Sequence, residues 1–246
     1  MFTRKILAAA ATLAVAGTTI TAGALTASAA TPSCGSTCIN IFPKVYSGTS
    51  PGSPQFVTDV FQQGAKVGQP IILWRSSNSD PAEDFTYSNQ GTVSDFYAAG
   101  LVSSAVALHY GCTTGRHGAF PNCQSAADDT AYELEYSPYG VDSGLCVGLA
   151  ATATAKETVT LQPCGVSGKT VWIQDANPGD NPANPYYAAI NGSDTSFSHP
   201  FVLTYPGNGY PTDKPRPDLF VTNLTGFSAG VENDGQLWTG VPGVLP

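Results

Sequence analysis

The chain predicts an all-β fold, a barrel or sandwich of three unequal repeats stapled by disulfides. Three observations carry this expectation. Twenty-six glycines and 19 prolines punctuate short apolar runs, so the chain reads as brief strands joined by turns. Helical periodicity is almost absent: "DFYAAGLVSSAVALHY" (95–110) is the one stretch that reads as a helix at all, and its Val-rich, Ser-rich composition suits strands better. Finally, three segments, 56–87, 145–175 and 201–238, share one order of features. Each opens on a short apolar strand, turns, runs through a second strand ("IILW", "VTLQ", "LFVTN") and ends on an aromatic, Phe85, Trp172 or Trp238.

The elements follow in chain order. In residues 1–30, Arg4 and Lys5 precede an Ala/Leu/Val run and the small residues Ala27, Ser28 and Ala29, the pattern of a secretory signal peptide. Gly17, Thr18, Thr19 and Thr21 interrupt the run, which argues against a retained membrane span. The expectation is a secreted, extracellular domain over 31–246 with no membrane insertion after signal removal. Strand-like lead-ins "INIFPKVY", "YELEYSPY" and "YYAAINGS" precede the three segments. The repeats therefore run over about 39–91, 132–175 and 186–238, with 92–131 inserted between the first and second.

Without the first 30 residues the chain keeps 8 Lys+Arg against 18 Asp+Glu, a net charge of −10. Phosphate neutralisation needs clustered cations, so nucleic acid is excluded as a partner, and anionic membrane surfaces are disfavoured for the same reason. Six cysteines in an exported chain are an even number, and their order suggests local pairs: Cys34 with Cys38, Cys112 with Cys123, Cys146 with Cys164. Fifteen pairings are formally open. Zinc is disfavoured because Cys34 and Cys38 have no second Cys or His pair nearby at ligand spacing.

Motifs that carry chemistry fail on context. "PCGVSGKT" (163–170) ends like a phosphate-binding loop, but Pro163 stands where its first glycine belongs and the proline-rich stretch after it starts no helix. "GFSAG" (226–230) fits a nucleophile elbow around Ser228, yet no histidine follows it. It reads as a glycine-rich loop. His109, His117 and His199 stand in separate segments without metal spacing, and "DANPGDNPAN" (175–184) misses the calcium-loop pattern. No carboxylate pair suits glycosidase chemistry. Glu133 and Glu135, like Asp128 and Asp129, read as a solvated strand edge. No catalytic residue, metal or cofactor is expected.

The repeats resemble those of the ricin-type β-trefoil lectins, which open on Cys-x-Asp-Val, carry a V-x-L strand and close on Gln-x-Trp. Gln236-Leu237-Trp238 matches the closing motif; Thr170-Val171-Trp172 and Glu83-Asp84-Phe85 are degenerate versions, and Cys146 and Cys164 stand where the family has its intra-repeat disulfide. The resemblance implies a β-trefoil and a non-catalytic carbohydrate-binding module whose partner is a saccharide or glycan. In the first repeat Asp59 falls at the family's sugar-accepting acid and Trp74 at its stacking aromatic. The family's amide position falls near Ala82, with Asn78, Asp80 and Glu83 close enough to substitute. The second repeat has Gly148 and Gln162 at the acid and aromatic positions, the third Thr204 and Phe220, and neither set suits a sugar. The plainer alternatives are a turn-capping carboxylate for Asp59 and a partly buried rim residue for Trp74. The trefoil would then serve as an extracellular protein-interaction or inhibitor domain.

Overall fold

Strand formation follows alternation. In "YELEY" the aromatic and aliphatic residues Tyr132, Leu134 and Tyr136 fall on one face and Glu133 and Glu135 on the other. That is the period of a strand whose one side lines a core. The computed structural model describes residues 34, 38–46, 56–77, 79–112, 130–175, 186–196, 198–205, 218–225 and 235–242. Among these it contains twelve strands: β1 Ile39–Pro43, β2 Phe56–Val60, β3 Ile71–Arg75, β4 Phe85–Thr92, β5 Thr130–Tyr136, β6 Leu145–Leu149, β7 Val159–Pro163, β8 Val171–Asp175, β9 Tyr187–Asn191, β10 Phe201–Thr204, β11 Phe220–Asn223 and β12 Leu237–Pro242. Thr31–Pro246 cluster as one unit, apart from Met1–Ala30, whose signal-peptide expectation lies outside the described residues.

The pairing is that of a β-trefoil. Six strands close a ring, each antiparallel to the next: β1 to β4, β4 to β5, β5 to β8, β8 to β9, β9 to β12 and β12 back to β1. The other six form three hairpins, β2–β3, β6–β7 and β10–β11. These hairpins meet one another through isolated bridges, Pro70 with Thr160, Ile72 with Asp218 and Thr158 with Phe220. Backbone bonds from Leu161 to Gln69, from Leu219 to Ile71 and from Val159 to Leu219, each 2.8 Å, join them. Closure leaves the barrel without an exposed strand edge, and three four-strand units are what close it.

The barrel interior collects side chains from all three units, among them Ile41, Phe85, Tyr132, Leu161, Trp172, Leu203 and Trp238. Two of the three closing aromatics anchor alike. The Nε1–H of Trp172 donates to the Val147 carbonyl at 2.9 Å and that of Trp238 to the Leu203 carbonyl at 2.8 Å. Phe85 buries a ring in the first repeat but has no such donor.

Two short helices correct the reading of 95–110 as strand: α1 Val93–Ala98 and α2 Ser104–His109. Thr92 and Asp95 form a reciprocal capping box at the first, and the Ser103 hydroxyl accepts from the Val106 N–H at the second. Six residues are too few for a helix to stand alone. Tertiary cover holds them, since Phe96, Val102, Val106 and Tyr110 pack with Val171, Ile173, Ile190 and Val202 in a second apolar cluster. No helix among the described residues is long and apolar enough to cross a membrane.

Disulfides link Cys34 to Cys38 and Cys146 to Cys164, with Cα atoms 5.6 and 5.0 Å apart. Cys112 is also disulfide-bonded; Cys123 lies outside the described residues. The second bridge closes an 18-residue separation across β6 and β7, a stabilisation of about 3 kcal/mol by loop-closure entropy.

Glu133 and Glu135 are not a solvated edge: both are buried. Glu133 accepts from the Thr170 hydroxyl at 2.5 Å and the Gly165 N–H at 2.8 Å, and Glu135 from the Gly144 N–H at 2.5 Å. They point out of the barrel, but the loops flanking the β6–β7 hairpin fold over them. "PCGVSGKT" is the end of β7, a loop and the single 3-10 turn Gly168–Thr170, and the strand β8 follows with no α-helix between them.

Candidate functional site

The first-repeat hairpin brings Asp59 and Trp74 to one face. Phe56, Val60, Ile71 and Leu73 fill the core, so the alternating positions Val57, Asp59, Ile72 and Trp74 must point the other way. Asp59 pairs with Ile72, and Trp74 stands two residues further along β3. The two side chains line one cavity of about 170 Å³ with Gln62, Gln63, Ile72, Asp80 and Ala82. An engineered cavity of roughly 150 Å³ holds a benzene ring, so the space admits a single ring-sized ligand. Asp59 is 4 % exposed, and Trp74 is partly exposed.

The cavity wall is built locally. Asp80 caps the 3-10 turn Pro81–Glu83, its Oδ1 accepting from the Ala82 N–H at 3.0 Å and from Gln63 Nε2 at 3.1 Å. Gln62 and Gln63 both adopt φ of 56°, a left-handed conformation that a non-glycine residue holds only when its surroundings enforce it. Glu83 is buried, and its carboxyl oxygens receive the Ser77 N–H at 2.9 and 3.1 Å. Burial pushes the Glu83 carboxyl from 4.5 up to about 8, opposed by the Ser77 bond and reinforced by Asp59, Asp80 and Asp84. Asp84 is likewise raised by burial, against the bond it accepts from the Tyr139 N–H at 2.9 Å. Tyr136 is raised by burial first and by Asp59, Asp84 and Asp80 second. Oxygens of Asp59, Asp80 and Glu83 lie within 4.8 Å of one another, though carboxylate proximity alone does not define a metal centre.

Asn78 lies outside the described residues, as do His117, Asp128, Asp129, Ser228 and 176–184. His109 is exposed on α2 with its ring edge-on to Tyr110, and His199 is exposed and lends its carbonyl to Asn223. The sequence reading missed Gln62 and Gln63, which reach the cavity only because the chain turns back after β2. It named Glu83 only as a nearby substitute.

The other two repeats have this position filled. Gly148 is the second-repeat counterpart of Asp59, and a Cβ there would meet the Lys169 carbonyl and Thr170 Cγ2 at 2.8 Å. No acidic side chain fits. In the third repeat Thr204 pairs with Phe220 as Asp59 pairs with Ile72, so Thr222, two residues on, is the counterpart of Trp74. This corrects the placement of Phe220 by two residues. Gln236 occupies the space: its Nε2 donates to the Thr222 hydroxyl and the Asn223 carbonyl at 2.9 Å and to the Thr204 hydroxyl at 3.4 Å. Its Oε1 accepts from the Thr225 N–H and hydroxyl at 3.0 and 2.9 Å.

No family model matches the chain, and no curated protein does. Among solved structures it is similar to a designed three-fold symmetric protein, ThreeFoil, at 11% identity and a TM-score of 0.48, over 83% of this chain and 97% of that one. A mosquitocidal holotoxin matches at 11% and 0.47, over 83% of this chain and 17% of its own. An exo-beta-1,3-galactanase from Clostridium thermocellum matches at 11% and 0.46, over 84% of this chain and 30% of its own. The chain thus spans less than a third of the last two proteins. It is the closed six-strand ring with its three hairpins that assigns the trefoil.

Proposed function

We propose that this protein is a secreted, non-catalytic carbohydrate-binding module of the ricin-type lectin kind, with one working site in its first repeat. The observation that carries the reading is the shared cavity of Asp59 and Trp74. A carboxylate accepts from sugar hydroxyls while an indole face covers the ring's C–H surface, and the cavity has room for one ring. The Cys146–Cys164 bridge within the second repeat and the Cys34–Cys38 link just before the first suit an oxidising, extracellular compartment, in keeping with the signal-like first 30 residues. One carboxylate and one indole bury little area, so affinity for a monosaccharide is near millimolar, equivalent to about 4 kcal/mol.

The test is a titration of monosaccharides followed through the Trp74 indole N–H resonance. A saturable shift for some sugar, abolished in Asp59→Asn, is the expected result. A panel of hexoses and hexosamines that leaves the resonance unmoved at tens of millimolar sinks the reading. The competing function, a protein-interaction or inhibitor domain, is favoured by one observation: Tyr139 and Val141, just after β5, are 41% and 67% exposed.

A further inference from the structure

The three closing motifs put Glu83, Thr170 and Gln236 in one structural position, and only Glu83 is acidic. Gln236 does two jobs there. Its carbonyl oxygen accepts a backbone N–H from the loop after β11, and its amide donates to the Thr204 hydroxyl. Glu83 performs the first job from the same place, its two carboxyl oxygens sharing the Ser77 N–H of the loop after β3 at 2.9 and 3.1 Å. The second job points at the counterpart of Thr204, which is Asp59. Oxygens of Glu83 and Asp59 lie within 4.8 Å, and the two residues are 2% and 4% exposed.

We propose that Glu83 is the positioning residue of the first-repeat site, donating from its carboxyl O–H to Asp59 the hydrogen bond that Gln236 gives Thr204, so that the site is set at neutral pH and released when that proton leaves. The inference rests on the sugar-site reading for its functional consequence, but the carboxyl pair stands without it. A buried carboxyl that keeps its proton can donate, whereas an ionised one only accepts. Deprotonation removes the donor and places a second negative charge beside Asp59, which turns the acceptor away from ligand hydroxyls.

The surroundings hold the proton. The charged groups acting on Glu83 are all carboxylates, Asp59 on β2 and Asp80 and Asp84 on its own segment. The 3-10 turn Phe61–Gln63 faces it with glutamines, and the turn Pro138–Gly140 contributes Tyr139, whose N–H is taken by Asp84. Tyr136, which also senses Asp59, Asp80 and Asp84, is itself raised and stays neutral. Burial and these neighbours place Glu83 near 8.

Glu83→Gln is the decisive variant, because it installs the residue the third repeat uses. With a midpoint near 8, the protonated fraction and hence the apparent affinity fall about tenfold between pH 7 and pH 9 in the parent, read by titrating D-galactose, D-glucose and their 2-amino derivatives against the Trp74 indole. In Glu83→Gln the affinity is kept and no longer falls. A companion measurement needs no sugar: the Glu83 side-chain carboxyl, assigned by its absence in the variant, is titrated by carbon NMR. It is expected to titrate near 8, and lower in Asp59→Asn. Equal pH profiles in parent and variant, loss of binding in Glu83→Gln, or titration near 4.5 overturns the proposal. If no sugar binds but Glu83 titrates near 8 and the Trp74 indole follows it only in the parent, the carboxyl pair stands and the lectin reading fails.

Discussion

Truncating Trp74 and Trp238 to alanine separates an indole on the outer face of the first hairpin from one in the barrel core. Trp238 is fully buried and its Nε1–H satisfies the Leu203 carbonyl at 2.8 Å. Its removal empties a core position, at about 3–5 kcal/mol, and leaves that carbonyl unpaired, at about 1–3 kcal/mol more. Trp74 sits on the outer face of β3, partly exposed, over a cavity rather than against the barrel interior. The area it covers makes its loss worth on the order of 1 kcal/mol. For a domain of this size each kcal/mol moves Tm by about 2–4 °C. Trp74→Ala therefore melts within about 4 °C of the parent, while Trp238→Ala falls by 10 °C or more, on the order of its summed loss. Should Trp238→Ala fail to fold, Trp238→Phe keeps most of the ring and reports the lost hydrogen bond, at about 1–3 kcal/mol, together with the small cavity left by the missing ring atoms. Urea unfolding at fixed pH supplies the free energies beside the melting curves. Equal losses for the two alanine variants would refute the placement of Trp74 on a ligand surface.

Three further outcomes follow from the geometry. Because the Glu83 carboxyl is raised to about 8, the folded state binds more protons than the unfolded one between 4.5 and 8. Its contribution is full below about 4.5, declines as pH rises and is lost once pH passes 8, a difference of up to about 5 kcal/mol; urea unfolding at pH 5 and pH 9 should show a decline that is smaller in Glu83→Gln, where the raised Asp84 still contributes. Gly148→Ala loses more than about 1 kcal/mol, because its Cβ meets the Lys169 carbonyl and Thr170 at 2.8 Å; an unchanged urea midpoint would contradict that packing. Non-reducing peptide maps join Cys146 to Cys164 and Cys34 to Cys38, and replacing the former pair by serine costs about 3 kcal/mol; a Cys112–Cys146 peptide would overturn the pairing.

The sequence alone determined the all-β class, the three units and the placing of Asp59 and Trp74 on one hairpin. Those features are local: alternation within a strand, an aromatic at each unit's end, and two positions fifteen residues apart across one hairpin. Tertiary structure decided what depends on distant neighbours. The helices α1 and α2 are too short for a periodic signal, and their caps, Thr92 and Ser103, look like ordinary turn residues until Phe96 and Val106 find the outer face of β8 and β9. Glu133 and Glu135 alternate outward like any solvated pair, and only the folded-over loops bury them. Gly148 carries no sign that the Lys169–Thr170 backbone fills its space, and the bridge of Thr158 to Phe220, not the spacing of β11, sets that residue's register. The role of Glu83 emerges last, because its meaning comes from the three-fold relation to Gln236, and a carboxyl's proton is governed by burial and by carboxylates that the chain brings together only on folding.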